Sequence, residues 1–346
     1  MKVLLYSGDL RFIKHSGLGK AVEHQKTALA SAGVIYTTNP ADTYDIVHMN
    51  TYFPKSVLFA KKMKRKGIPV VYHAHSTKQD FRNSFRFSNV LAPHFEKWIV
   101  RSYNLGDVVV TPTAYAKALL EESGVTTPIY PISNGIDLQY YAATDAMRKQ
   151  FREAYGYNEQ DKIVMAVGHY IKRKGILDFV ELAKRLPEYK FIWFGYTSMV
   201  EIPSEIQEAV KVDLPNLQFA GYIPAEELRN AYAGVDLFLF PTYEETEGIV
   251  LLEAMAMQQN ILLRDIPIYS EYISGEHVYK AADVVSFAET ITKLFNGELP
   301  TLVFNAYEEV KKRDIDQVGK QLRTLYARTL SRYHDVMGNG PTQRND

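Results

Sequence analysis

Residues 241–257 read Pro241-Thr242-Tyr243-Glu244-Glu245-Thr246-Glu247-Gly248-Ile249-Val250-Leu251-Leu252-Glu253-Ala254-Met255-Ala256-Met257. They follow an apolar run, Val235 to Phe240, that predicts a buried strand. Pro241 ends that strand, and beyond Gly248 the apolar residues Ile249, Leu252, Met255 and Ala256 recur at helical spacing. The order is strand, acidic turn, glycine, helix. The first amides of such a helix, at Gly248, Ile249 and Val250, have no partner four residues back and carry partial positive charge, so a phosphate fits there. Glu245 falls in the turn and Glu253 inside the helix, which places one carboxylate beyond the phosphate and the other beside or behind it. Carboxylates accept hydrogen bonds from hydroxyls. The combination suits a ligand with hydroxyls on both sides of a diphosphate, as in a nucleotide-sugar. The plain alternative is an acidic loop ahead of an amphipathic core helix.

Outward from this stretch, strand-like runs at Ile163–Val167, Lys190–Phe194, Leu217–Ala220, Leu237–Phe240 and Asn260–Leu263 alternate with helical patterns. An earlier series does the same at Val3–Tyr6, Ile46–Met49, Val70–His73 and Val108–Thr111. Strand and helix in alternation predict an α/β fold with parallel sheets covered on both faces. Two series in 346 residues predict two Rossmann-like domains facing a cleft, with ligands at the carboxyl ends of the strands. The break falls near Asn134-Gly135-Ile136-Asp137, giving domains over 1–139 and 140–310, a helical segment over 311–337 and a disordered polar tail over 338–346.

Composition narrows the class. The absence of cysteine excludes disulfides and thiolate metal sites and fits a cytoplasmic chain. The opening Lys2-Val3-Leu4-Leu5-Tyr6 is too short for a signal peptide and reads as a first strand, and no run of 18 apolar residues occurs. Net charge is zero, yet residues 1–140 hold 17 Lys+Arg against 10 Asp+Glu, so the first half is basic and the second acidic. A basic half meets something anionic, nucleic acid or an acidic membrane surface.

Four further stretches carry candidate chemistry. Ser16-Gly17-Leu18-Gly19-Lys20 follows the first strand as a glycine loop, where the backbone approaches a phosphate or sugar, or merely turns. His73 and His75 end the third strand run on one side of the sheet; with no third ligand at suitable spacing they predict no metal. Gly168-His169-Tyr170-Ile171-Lys172-Arg173-Lys174-Gly175 is a basic turn after a strand, a surface loop or an anion site. From 81 to 103, Phe81, Phe85, Phe87, Leu91, Phe95, Trp98 and Ile99 recur at steps of three and four among Arg82, Arg86, Lys97 and Arg101, with Pro93 expected to interrupt the helix. Upstream stand Lys61, Lys62, Lys64, Arg65 and Lys66. Rings beside cations are what an interfacial helix needs on anionic lipid, with Lys61, Lys62, Lys64, Arg65, Phe85, Arg86 and Trp98 as the membrane candidates. An ordinary amphipathic core helix is the alternative.

The two glutamates separated by seven residues, with Gly248 after the first and Ala254 after the second, resemble the donor-sugar motif of the family 4 retaining glycosyltransferases. The Gly168–Gly175 loop resembles that family's diphosphate loop, and the glycine loop, His75, Asn134-Gly135, Lys174 and the glutamates occur in family order. The resemblance implies the two-Rossmann-domain glycosyltransferase fold, GT-B, with the last helix returning to the first domain. It implies that Glu245 and His75 contact the donor hexose, that Glu253 binds the ribose, and that Lys174, with Arg173, neutralises the leaving diphosphate. Gly17, Gly19 and Gly168 would line the donor site and Tyr222 would lie near the base. Two positions depart from the pattern: Glu247 stands where an apolar residue is usual, and His169 where arginine is. The N-terminal stretch and Tyr72-His73-Ala74-His75-Ser76-Thr77 resemble glycolipid synthases of Gram-positive bacteria, which add a second hexose to glucosyl-diacylglycerol. The expectation is therefore retaining transfer of galactose or glucose from a UDP-sugar to a glycolipid, peripheral on the inner face of the cell membrane, without metal or other cofactor. A soluble glycan acceptor is the alternative. A nucleic-acid partner is not expected, because two carboxylates at a phosphate site oppose it.

Overall fold

Short runs of β-branched and aromatic residues, apolar on both faces, build two parallel sheets. The computed structural model describes residues 1–8 and 17–338. The expected disordered tail, apart from Gly338, and Ser16 of the glycine loop lie outside them. The described chain divides into two compact units. The first takes Met1–Thr77, Pro93–Gly135 and the segment from Arg313 onward; the second takes Lys78–Ala92 and Ile136–Lys312.

In the first unit β1 (Lys2–Tyr6), β2 (Ile35–Thr37), β3 (Ile46–Met49), β4 (Val70–His73), β5 (Val108–Thr111) and β6 (Ile129–Pro131) form a sheet in the order β2-β1-β3-β4-β5-β6. Neighbours are parallel, with Val3 opposite Ile46 and Val47 opposite Val70. Successive side chains leave opposite faces. Val3 and Leu5 enter a core with Leu29, Val71 and Val110, while Leu4 enters another with Val47, Tyr72 and Ile99. The final helix, Ile315–Gly338, closes the first of these cores with Ile315, Val318, Leu322, Leu325 and Tyr326. The last helix thus returns to the domain of the first strand.

In the second unit β7 (Ile163–Val167), β8 (Lys190–Phe194), β9 (Leu217–Gly221), β10 (Leu237–Phe240), β11 (Ile261–Arg264) and β12 (Tyr279–Ala281) run in the order β12-β11-β10-β7-β8-β9. This is the doubly wound Rossmann order, and its connections reverse direction between β7 and β10.

Several expectations change. β2, β6 and β12, absent from the strand-like runs expected above, are three-residue edge strands: Ile35 of β2 is exposed and β6 ends in proline, so neither shows a buried apolar run. Gly17 and Gly19 are not in a loop but open the helix Gly17–Ser31, with Gly19 buried in its first turn. Pro93 does not interrupt its helix, which runs unbroken over Ser88–Tyr103. The carbonyl that proline deprives of a partner is that of Asn89, in the opening turn, so little of the helix depends on it. The helical segment expected over 311–337 begins only at Ile315 and runs to Gly338; it is separated from the helix Val303–Val310 at 311–314, where Asp314 Oδ1 accepts from the Asp316 amide. The apolar series 81–103 is not one face: Ile99 is buried and Phe95 packs edge-on against Tyr52, whereas Phe87 lies ahead of the helix and is exposed, as are Leu91 and Trp98 on it.

Candidate active site

The two polar motifs of the second unit follow adjacent central strands. The 168–175 loop leaves the carboxyl end of β7 and the 241–248 loop that of β10, at the point where strand order reverses. Open sheets bind ligands there. Gly168 is bonded through its amide to Phe194 O at 2.9 Å, and its missing side chain makes room for the Lys174 stem, 3.3 Å from where a Cβ would stand. Gly175 has φ +78°, and a Cβ there would collide with the Pro241 carbonyl. Only glycine lets the two loops touch at that point. The contact is then knitted by the Tyr243 amide donating to Arg173 O at 2.8 Å.

Glu245 is buried, 7% exposed, between the two loops. Its Oε1 is ion-paired with Lys174 Nζ, lies 3.5 Å from Arg173 Nη1 and accepts from Thr242 Oγ1 at 3.1 Å. Burial pushes the Glu245 carboxyl up, but Lys174 and Arg173 outweigh it and hold it below the usual carboxylate range. Burial also draws the Lys174 ammonium down, against the pull of Glu245. Arg173 is oriented by Nε donating to Ser84 Oγ at 3.2 Å and its amide donating to Asn83 O at 3.2 Å. The site therefore holds two fixed cations that share one carboxylate.

Gly248 caps the helix Ile249–Ala256 with φ +89°, and a Cβ would stand 2.9 Å from the Phe240 ring and 3.0 Å from the Tyr269 hydroxyl. The first helical bond is the Leu251 amide to Gly248 O, 2.9 Å, so the amides at Gly248, Ile249 and Val250 precede the bonded ladder. Glu253, on the second turn, is fully buried: Tyr141 donates to Oε1 at 3.0 Å and Tyr232 to Oε2 at 2.9 Å. Burial, then the charge of Glu253, raises both phenols, which keeps them donors. Tyr222 is exposed beyond β9, and His169 Nδ1 lies 2.9 Å from Tyr196 O.

In the first unit His75 lies past the end of β4, its ring stacked on His73 at 3.9 Å and 6°. Its Nε2 is 2.9 Å from Asn50 Oδ1 at the end of β3. Gly17 and Gly19 lie at the N-terminus of the helix after β1. Of the basic candidates, Lys61, Lys62 and Arg65 are exposed on the helix Pro54–Arg65 beside Leu58, while Lys64 is paired with Asp107 at 3.2 Å. Phe85 and Arg86 are exposed in the second unit's Lys78–Ala92 segment. Trp98, on the first unit, donates its indole N–H to Tyr52 O at 2.8 Å and keeps an exposed face.

The structure thus gathers Lys174, Arg173, Glu245, Gly168 and Gly248 at one strand junction. It adds partners that no sequence expectation assigned a role: Thr242, Tyr141 and Tyr232, and Arg264, whose Nε donates to Pro241 O at 3.0 Å while the side chain pairs with Asp178, and, in the first unit, Asn50. Glycine spacing pointed to the loops; nothing local pointed to these partners.

Residues 147–314 match the model of the glycosyl transferases group 1, and residues 29–140 that of glycosyltransferase family 4. The chain is 40% identical over 332 residues to a processive diacylglycerol alpha-glucosyltransferase from Acholeplasma laidlawii, covering 95% of this chain and 99% of the relative. It is 26% identical over 249 residues to the alpha-galactosylglucosyldiacylglycerol synthase of Streptococcus pneumoniae, covering 70% of this chain and 66% of that one. In fold it is similar to Anabaena HepE in complex with UDP-glucose, with a TM-score of 0.75 at 16% identity over 94% of this chain and 99% of HepE.

Proposed function

The chain belongs to the family 4 glycosyltransferases and is an enzyme of that class, and from this we propose that it moves galactose or glucose from a UDP-sugar to a membrane glycolipid, glucosyl-diacylglycerol, with retention at the anomeric carbon. One observation carries the reading: Lys174 and Arg173 converge on Glu245 at the strand junction of the second unit, beside the Gly248 helix N-terminus. A diphosphate arriving there takes the two cations as its own partners and releases the Glu245 carboxylate to accept hydrogen bonds from hexose hydroxyls. Glu253, on the same helix, receives the ribose hydroxyls, and the face carrying Tyr222 lies toward the base.

In the proposed step the bond from the anomeric carbon to the UDP phosphate oxygen breaks, and a bond from that carbon to the acceptor hydroxyl oxygen forms on the same face. The acceptor proton passes to the departing phosphate, and UDP leaves. Charge grows on that phosphate as the bond breaks, and Lys174, Arg173 and the helix amides are fixed in place to stabilise it. These groups supply the positive charge, so the scheme calls for no metal, and EDTA is expected to leave turnover unchanged.

The lipid acceptor is supported by the names of the relatives and by two surfaces. No described helix is long and apolar enough to cross a membrane. The helix Ser88–Tyr103 instead carries an exposed stripe of Leu91, His94, Trp98 and Arg101, and the helix Pro54–Arg65 exposes Lys61, Lys62 and Arg65. Aromatic and apolar groups flanked by cations are suited to a peripheral site on anionic lipid at the inner face of the cell membrane.

The test is UDP release from UDP-glucose and UDP-galactose, each with and without glucosyl-diacylglycerol in anionic micelles. Lipid-dependent release with one sugar is the expected result. Slow, lipid-independent release would move the acceptor to a soluble glycan, and no turnover or binding of either donor would overturn the reading of the Glu245 site.

A further inference from the structure

The two donor-site loops of the second unit are tied together by a cluster that the transfer scheme does not use. Leu263 of β11 lies opposite Phe240 of β10, so Arg264 stands beside Pro241, where the 241–248 loop starts. Arg264 is 4% exposed, and each of its three side-chain nitrogens has a fixed partner. Nε donates to Pro241 O at 3.0 Å, Nη1 donates to Ala282 O at 2.8 Å just past β12, and Nη2 is ion-paired with Asp178. Asp178 stands in the first turn of the helix Ile176–Arg185, which continues the 168–175 loop. The same carboxylate oxygen, Oδ2, accepts from the Tyr243 hydroxyl at 2.7 Å. The Tyr243 ring lies against the guanidinium, its centroid 3.9 Å from Cζ. Arg264, Asp178 and Tyr243 therefore form a triangle, with one corner on β11, one on the helix after the first loop and one in the second loop.

We propose that Arg264 is a positioning residue that, with Asp178 and Tyr243, keeps the Glu245 loop in register while a donor diphosphate occupies Lys174 and Arg173, and so sets the discrimination between donor hexoses. The inference rests on the reading of Glu245 as the acceptor of hexose hydroxyls.

Without a donor the loops are held largely by charge. Glu245 pairs with Lys174 and Arg173, and Arg173 Nη1 also donates to Glu244 O at 2.5 Å. A diphosphate that takes both cations weakens all of these ties just as Glu245 has to read a hexose. The ties that do not use the charged ends of Lys174 and Arg173 remain. The Tyr243 amide and Thr242 Oγ1 donate to Arg173 O at 2.8 and 3.3 Å, and the triangle anchors the Tyr243 side chain and the Pro241 carbonyl. Pro241 and Tyr243 belong to the same short turn as Glu245, so a shift of either is passed to its carboxylate. Galactose and glucose differ only in the direction of one hydroxyl, so telling them apart depends on where a fixed acceptor stands. A misplacement of about 1 Å is enough to cost about 100-fold in rate. Lysine would not serve at 264: one ammonium cannot bond in three directions of a plane and also offer a flat face to a ring. The diphosphate contacts do not depend on the triangle, because Arg173 is oriented by Ser84 and Asn83 and the helix after Gly248 is held by its own buried residues, Ile249, Leu251 and Leu252 among them.

The experiment uses the full chain and steady-state transfer from UDP-glucose and UDP-galactose to glucosyl-diacylglycerol. It reads the ratio of kcat/KM for the better donor over the poorer, beside the Kd of UDP from calorimetry. A variant that merely loses folded protein lowers both rates together and leaves the ratio alone. The parent is expected to favour one donor by about 10-fold or more. Arg264→Gln is expected to lower the ratio about 10-fold and kcat for the better donor about 10- to 100-fold, with the Kd of UDP within about threefold of the parent. Tyr243→Leu removes the ring and hydroxyl of a side chain that is 48% exposed, so the fold tolerates it, and is expected to lower the ratio in the same direction. A parental ratio in either variant overturns the inference, so Tyr243→Leu decides where Arg264→Gln fails to fold. A parent that uses both donors equally overturns it too, as does Arg264→Gln that weakens UDP about as much as it slows transfer. Glu245→Ala with the parental ratio overturns the reading of Glu245 itself. An altered ratio in Glu245→Ala beside an unaltered one in Arg264→Gln overturns only the role of Arg264.

Discussion

Glu245 and Glu253 share one residue type and one helix-bearing stretch, yet their surroundings divide their tasks. Glu245 is held by two cations that a diphosphate would claim, so its carboxylate becomes available only as the donor arrives. Glu253 is fixed by two tyrosine hydroxyls, which suits a permanent acceptor for ribose hydroxyls. Glu253→Ala is therefore expected to weaken UDP binding about 10- to 100-fold, the worth of hydrogen bonds to a charged group. Glu245→Ala is expected to depress hexose transfer by more than it changes UDP affinity. Calorimetry with UDP beside turnover separates the two, and equal UDP affinity for parent and both variants would contradict the assignment. At this scale the sequence displayed the glutamates, Lys174 and the glycines, because loop chemistry is local. Tyr141 lies 112 residues from Glu253, and Asn50 lies 25 from His75, so only the folded chain pairs them.

Strands were legible wherever they are buried on both faces, since β5, β7 and β10 are uninterrupted apolar or β-branched runs and β3, β4 and β8 carry only one polar residue each, His48, His73 and Lys190. The three-residue edge strands lack that signal, and the stop at 311–314 is a short turn inside a charged stretch with no glycine or proline. The helix Pro54–Arg65 shows how contact sorts residues that composition groups together. Lys61, Lys62 and Arg65 face solvent, but Lys64 is committed to Asp107. Near anionic lipid each exposed cation contributes about 1 kcal/mol, so Lys61→Gln, Lys62→Gln and Arg65→Gln together are expected to lower vesicle partitioning about 100-fold. Lys64→Gln alone is expected to change it least. Co-sedimentation with anionic vesicles checks both, and a triple variant that sediments like the parent would remove this helix from the membrane surface.

Across the whole chain the two units differ in how they hold protons, and this predicts an order of unfolding. The first unit buries His48 and His73 as neutral rings; burial sets His48 to about 3 against an ordinary value of 6.5, and His73 well below 6.5. An unfolded chain binds those protons below 6.5 while the folded unit refuses them. The stability that depends on this refusal is complete above pH 6.5 and is lost as pH falls toward 3. His48 and His75, each drawn to about 3, together cost the first unit about 4 kcal/mol between pH 7 and 5, and His73 adds in the same direction. The second unit has one ring drawn below 6.5 by burial, His169, and so loses less in that window. Its Glu245 is held below the ordinary carboxylate value of 4.5, so the stability tied to that pair is kept until the medium is more acid than 4.5. The two tryptophans make the comparison measurable, because Trp98 lies in the first unit and Trp193 in the second. In Trp193→Phe the remaining fluorescence reports the first unit, and its urea midpoint is expected to fall sharply from pH 7 to pH 5. In Trp98→Phe the midpoint of the second unit is expected to move little over the same range. Equal shifts in the two variants would mean that the buried histidines do not set the acid response, and a His48→Gln background that leaves the first unit's pH dependence unchanged would say the same of that ring.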